Sequence, residues 1–192
     1  WNVDSRTSLC PSLDINLLPK TLQRLQLDCE DVFCVLRQQN ANLDDLLPSL
    51  QVLKLKGKRL SEENLKQLPS QLIELSVDSE ESNMSTGTLF GDLPRTIEHL
   101  HFNFNVEDLE EFGNDLPSGL KSLHIRMLIA EYNWFAKLPK SLKSLSFRTF
   151  EEFVPDWPSL PPQLEELSFA PDANVEGDVD ELPSMDFGRG PG

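Results

Sequence analysis

Apolar residues along the chain fall into one spacing that keeps returning. In Leu138-Pro139-Lys140-Ser141-Leu142-Lys143-Ser144-Leu145-Ser146-Phe147, four apolar positions stand out from a polar background: the leucine ahead of the proline, then Leu142, Leu145 and Phe147. Similar stretches begin at Leu18, Leu47, Leu68, Leu93, Leu116 and Leu160, the second of them one residue shorter after its proline. Counted from the first leucine or isoleucine of the apolar triplet, at 22, 50, 72, 97, 120, 142 and 164, the spacings are 28, 22, 25, 23, 22 and 22 residues. Leu182-Pro183 opens a further copy that lacks the triplet.

The last two apolar positions of each copy are two residues apart, so they share one face of a strand while the residues between them share the other. The proline fixes its own φ and offers no N–H, which suits a segment entering a strand from a loop. A second apolar column, Leu43, Leu65, Phe90, Phe112, Phe135, Trp157 and Val179, stands three or four residues ahead of the Leu-Pro leucine. That spacing predicts a helical or 3₁₀ turn with both side chains pointing inward, and it makes the aromatics core filler between layers. Leu60 to Leu65, with Ser61 as N-cap, is the best helical stretch.

Over residues 18 to 182 the period and the motif resemble the leucine-rich repeat superfamily. The Leu-Pro-x-x-Leu-x-x-Leu-x-Leu form is most similar to the FNIP-type repeat of some eukaryotic proteins and, less closely, to the LPX repeat of bacterial secreted effectors. The resemblance implies an α/β repeat solenoid: a curved array of about seven repeats with a parallel concave β-sheet and an irregular or short-helix convex side. Residues 1 to 17 then form a lead-in or partial cap, and 183 to 192 a flexible tail. Ordinary leucine-rich repeats carry Asn three positions after the last strand leucine, but here that place reads Glu30, Lys58, Glu80, Asn105, Leu128, Phe150 and Asp172. This departure favours the eukaryotic type over a regular effector array. Neither end shows a convincing cap, so contact with other domains or subunits is expected there. Arrays of this kind commonly serve as substrate-recognition or adaptor modules, in FNIP and F-box settings inside cells and fused to ubiquitin-ligase domains in effectors. Neither an F-box nor a ligase domain is visible in these 192 residues.

The charge narrows the choice of partner. Acidic residues number 32 against 17 basic ones, a net −15, which disfavours a nucleic-acid or anionic-membrane binder with a wholly basic surface and leaves room only for a local basic patch. No apolar run approaches the roughly 20 residues of a membrane span, so no membrane association is expected. The expected location is cytoplasmic, with secretion left open. Cys10, Cys29 and Cys34 are odd in number and lack a C-x-x-C spacing, which points to reduced thiols and away from zinc. An N-terminal disulfide cap is the alternative. Asn83-Met84-Ser85 fits a glycosylation acceptor, and Asp186-Phe187-Gly188 copies a kinase tripeptide without any other kinase element.

In strands stacked in register, the second, fourth and sixth residues after each reference position face the concave side. The candidate partner surface is His99, His101, Asn103, Ser122, His124, Arg126, Ser144, Ser146 and Arg148, with Lys54 and Lys56 as a second basic patch. All three histidines of the chain fall here, and His101 and His124 become neighbours roughly 4.8 Å apart. Imidazoles suit zinc, nickel or copper, but flat sheet positions rarely converge, and no carboxylate or cysteine joins them. No metal or other cofactor is expected. Ser122 beside these histidines has the residue types for a nucleophile and base, yet an open sheet supplies neither an oxyanion hole nor water exclusion. The expectation is a non-enzymatic protein-protein interaction module whose concave face takes an acidic or polar protein segment. The alternatives are the repeat domain of a bacterial ubiquitin-ligase-type effector and a structural subunit of a ribonucleoprotein or other large assembly.

Overall fold

The computed structural model describes residues 2–4, 15–28, 43–57, 68–84, 90–91, 93–106, 116–127, 134–149 and 157–171. Its strands are β1 (Asn2–Asp4), β2 (Arg24–Asp28), β3 (Val52–Gly57), β4 (Glu74–Met84), β5 (His99–Val106), β6 (Ser122–Met127), β7 (Ser144–Thr149) and β8 (Glu166–Pro171). All pair in parallel and in chain order, one beside the next, which is the topology of a solenoid and not of a crossover sheet. The fold is therefore a leucine-rich-repeat-like solenoid. Seven of the strands are the seven repeats; β1 lies in a lead-in that the repeat pattern does not cover, and its three residues pair with Gln26 to Asp28.

Each repeat enters its strand through the same turn. The carbonyl of Pro19, Pro69, Pro94, Pro117, Pro139 and Pro161 accepts from the N–H three residues on, at 2.9 to 3.2 Å. In the shortened second copy the acceptor is instead Leu47, bonded to the Leu50 N–H at 3.0 Å, so Pro48 moves to the position after the acceptor, where its fixed φ is equally suitable. The missing residue is thus absorbed in the turn, and β2 and β3 remain in register from Arg24↔Val52 to Asp28↔Lys56.

The apolar columns meet inside. Leu50, Leu72, Ile97, Leu120 and Leu142 are fully buried, as are the strand residues Leu75, Val77, Phe102 and Ile125. The convex column joins them through one helical turn, α1 (Leu43–Leu46), and a 3₁₀ turn at Trp134–Lys137. Leu43, Phe90, Trp134 and Phe135 are buried. Phe90 meets Phe102 at 5.7 Å, and Trp134 and Phe135 meet Phe147 edge-on at 5.4 and 5.8 Å, so these aromatics are core and not a surface stripe. Leu65, Phe112, Val179, the side chain of Trp157 and the helix expected near Leu60 lie outside the described residues, as do the three cysteines. The ends are less covered: Leu18 and Leu22 at one end and Leu160, Leu164 and Leu167 at the other are only partly buried, and Phe169 is 41% exposed. No helix among the described residues is long and apolar enough to cross a membrane.

Ahead of the strands, hydroxyls link neighbouring repeats. Thr96 Oγ1 lies 2.8 Å from the carbonyl oxygens of both Ser70 and Leu72, and Ser141 Oγ lies 2.8 and 2.7 Å from those of Ser118 and Leu120. Each hydroxyl shares its proton between two carbonyls of the preceding turn. Ser70 N–H in turn donates to the Asp44 carboxylate at 2.7 Å. Gly119 occupies the equivalent place in the intervening repeat, and a Cβ there would meet nothing within 4 Å. Gly119→Ser is expected to extend the link to Arg95 and Ile97, with a gain of about 1 kcal/mol from the hydrogen bond and the stiffer unfolded chain. Urea unfolding measures this; a loss of stability would show that the hydroxyls of Thr96 and Ser141 are incidental.

Candidate functional site

The strands present their outward residues in three rows. The first pairs Glu74, His99, Ser122 and Ser144, and the second pairs Ser76, His101, His124 and Ser146 across β4 to β7. The third row breaks. Asn103 pairs with Asp78, but the β5 to β6 register shifts after Phe102, so Arg126 lies opposite Asn105 and not Asn103 as uniform stacking requires. The physical reason is a bulge in β5, which follows a larger one between Asp78 and Asn83 in β4. Beyond it, Arg126↔Arg148↔Ala170 is regular. Val52, which the alternation sets on this face, is 8% exposed, an apolar residue flanked in register by the longer Arg24 and Glu74.

Charges on the two halves of the face are arranged differently. Lys54 Nζ is 2.7 Å from Glu74 Oε1, and Lys56 Nζ is 4.0 Å from Asp28 Oδ2. Asn103 Nδ2 donates to Asp78 Oδ1 at 2.9 Å. The lysines therefore sit among carboxylates and do not make a basic patch of their own. Across β6 and β7, by contrast, Arg126 and Arg148 are side by side in register, with Ser122, Ser144 and Ser146 half-buried around them and Arg148 exposed. Just below the strands, Lys121 pairs with Glu98 and Lys143 with Glu165, each at 2.7 Å. The hydrogen bond from Lys121 holds the Glu98 carboxyl below its usual range.

The two histidines of the second row are stacked. The rings of His101 and His124 are 4.1 Å apart and within 2° of parallel. The shared face is dry, and this desolvation lowers the His124 pKa to about 4, helped by repulsion from His101 and from the Arg148 guanidinium. Desolvation also lowers His101, against the pull of the Asp78 carboxylate and with a smaller push from Lys54. The stack borders a depression of about 320 Å³ that Glu74, His99 and Ser122 also line. A ring nitrogen offers its lone pair in the plane of its own ring, and two parallel planes share no point, so this arrangement does not converge on an ion. Among the described residues no three histidine, cysteine or carboxylate side chains converge on one. His99, His101 and His124 are thus brought to one surface, but as a stacked pair with an exposed third ring.

Comparison with protein-family models and with curated proteins found no match. Among solved structures the chain is similar to one described as the crystal structure of CroV588, a novel circular LRR protein. The identity is 23% and the TM-score 0.45, over 80% of this chain and 24% of that one. The present chain thus spans about a quarter of that protein's length.

The stack makes a sharp expectation for titration. His124 binds its proton near pH 4 when folded but at an ordinary histidine pKa of about 6.5 when unfolded, so the unfolded chain takes up protons first as pH falls. Its contribution is present in full above pH 6.5, is lost as pH falls towards 4, and is absent from His124→Gln. NMR titration of the wild type should place one histidine near 4, and His101→Ala should raise it. Coincident ordinary titrations of all three histidines would refute the stack.

Proposed function

We propose that this solenoid is a non-enzymatic protein-binding module that holds an acidic or polar segment of its partner on the concave face, centred on β5 to β7. The supporting observation is the neighbouring pair Arg126 and Arg148 among Ser122, Ser144 and Ser146. Two adjacent guanidiniums on a serine-lined surface favour carboxylates, and small neighbours leave room for a partner's backbone to approach. On the β2 to β4 side the same face satisfies its own charges, through Lys54 with Glu74 and Lys56 with Asp28. The proposed contact is placed on the other half, where Arg148 is exposed. The repeat form supports an FNIP-like adaptor or substrate-recognition part of a larger protein, since the positions where a regular effector array has asparagines read Glu30, Lys58, Glu80, Asn105, Leu128, Phe150 and Asp172.

Charge reversal tests this reading. Arg126→Glu with Arg148→Glu is expected to weaken capture of the partner by about tenfold or more, since a favourable contact becomes a repulsive one at two positions. Reversal of the acidic run at Glu107, Asp108, Glu110 and Glu111 leaves it intact. Quantitative pull-down from extracts, with and without nuclease, measures both. Binding lost only in the acidic-run variant, or only after nuclease, would place the function elsewhere.

A further inference from the structure

The ends of the imidazole stack are not equivalent. Along the second row it is flanked by Ser76 on the β4 side and by Ser146, then Ser168, on the β7 and β8 side. Serine is too short to cover a ring, so the row leaves a step at each end beside an imidazole face. At the Ser76 end the surroundings are Glu74, Asp78 and Lys54, which are already engaged with one another or with Asn103. At the Ser146 end the same strand carries exposed Arg148 two residues on, and Arg148 is near enough to His124 to act on its charge. Glu166 is the acidic residue on that side, one row away and opposite Ser144.

Resting on the reading of the concave face as a protein-binding surface, we infer that the step over Ser146 receives an aromatic side chain of the partner. Its ring continues the His101–His124 stack, and a carboxylate next to it in the partner's sequence engages Arg148. The geometry supports each part. A third ring at the same interplanar spacing sits above Ser146 and Ser168, where no large side chain of this row competes. A neutral imidazole face is a good stacking surface, whereas a protonated one beside Arg148 would add a second cation to the slot. The dry interface between the two rings keeps His124 neutral at ordinary pH, so the slot is preorganised for a ring and the positive charge is left to Arg148. The partner motif is thus an aromatic residue flanked by aspartate or glutamate.

The probes are two short acidic peptides differing only in a central tyrosine or leucine, titrated into the full chain while the histidine ring signals are followed by NMR. The tyrosine peptide should bind about fivefold tighter, the increment a ring stack adds beyond burial. It should also move the His124 ring protons upfield more than those of His99. Ser146→Leu fills the step, and is expected to abolish the difference between the peptides while leaving their common weak binding. Arg148→Glu removes binding of both. Equal affinities for the two peptides in the wild type, with loss in Arg148→Glu, would overturn the aromatic slot and leave the concave docking surface standing. Binding that ignores Arg148→Glu would overturn both. Tighter binding of a uridine oligonucleotide than of either peptide, with the same upfield shift, would show that the ring belongs to a nucleic acid and not to a protein.

Discussion

One backbone carbonyl per repeat holds this protein in line. The residue after each reference leucine, such as Gln51, Ile73, Glu98, Lys121 and Lys143, gives its carbonyl to two successive N–H groups of the next repeat, at 2.7 to 3.1 Å. This shared acceptor sets the strand start, and the register from there carries the leucine columns into one core and the polar residues into straight rows. A slip by one residue would exchange the two faces. The proline turn just ahead of it, with its carbonyl bonded three residues on, delivers the chain to that point in the same geometry each time. The core, the hydroxyl links and the histidine stack all follow from this one alignment.

Much of this was readable from the residues. Strand positions, the parallel order, the inward Leu and Phe columns and the burial of Phe90 and Phe135 follow from a motif repeated seven times with period-two alternation inside it. Neighbouring placement of His101 and His124 follows from the same register. Features that depend on single-residue irregularities were not readable. The bulge after Phe102 leaves no mark in the repeat motif, because it lies past the last fixed apolar position, so uniform stacking sets Asn103 opposite Arg126 where the structure puts Asn105. Lys54 also looked basic in its own row, whereas its ion pair runs diagonally to Glu74 in the row before. A hydroxyl one place before the reference residue is a weak signal for these links, since Thr21 and Ser49 carry one as well as Thr96 and Ser141, while Gln71, Gly119 and Gln163 hold that place in the other repeats.

The two halves of the concave face differ although the scaffold beneath them is uniform. Core positions are held by packing worth about 2–5 kcal/mol per leucine lost, so they cannot vary without cost. Row positions on the open face carry no such constraint. On β2 to β4 they are spent on ion pairs exposed to solvent, each contributing about 0 to 1 kcal/mol. On β5 to β7 they combine a stacked imidazole pair, serines and two adjacent arginines, the group that the proposed docking surface is built on.

The central claim is that the partner sits on this half of the concave face, and the histidines report on it directly because all three of the chain lie there. Carbethoxylation of the free protein and of its complex with the natural partner, read by mass spectrometry, measures their accessibility. Protection of His101 and His124 in the complex is the expected result, with lysine reactivity at Lys54 and Lys56 little changed. Unaltered histidine labelling in a fully formed complex would contradict the account.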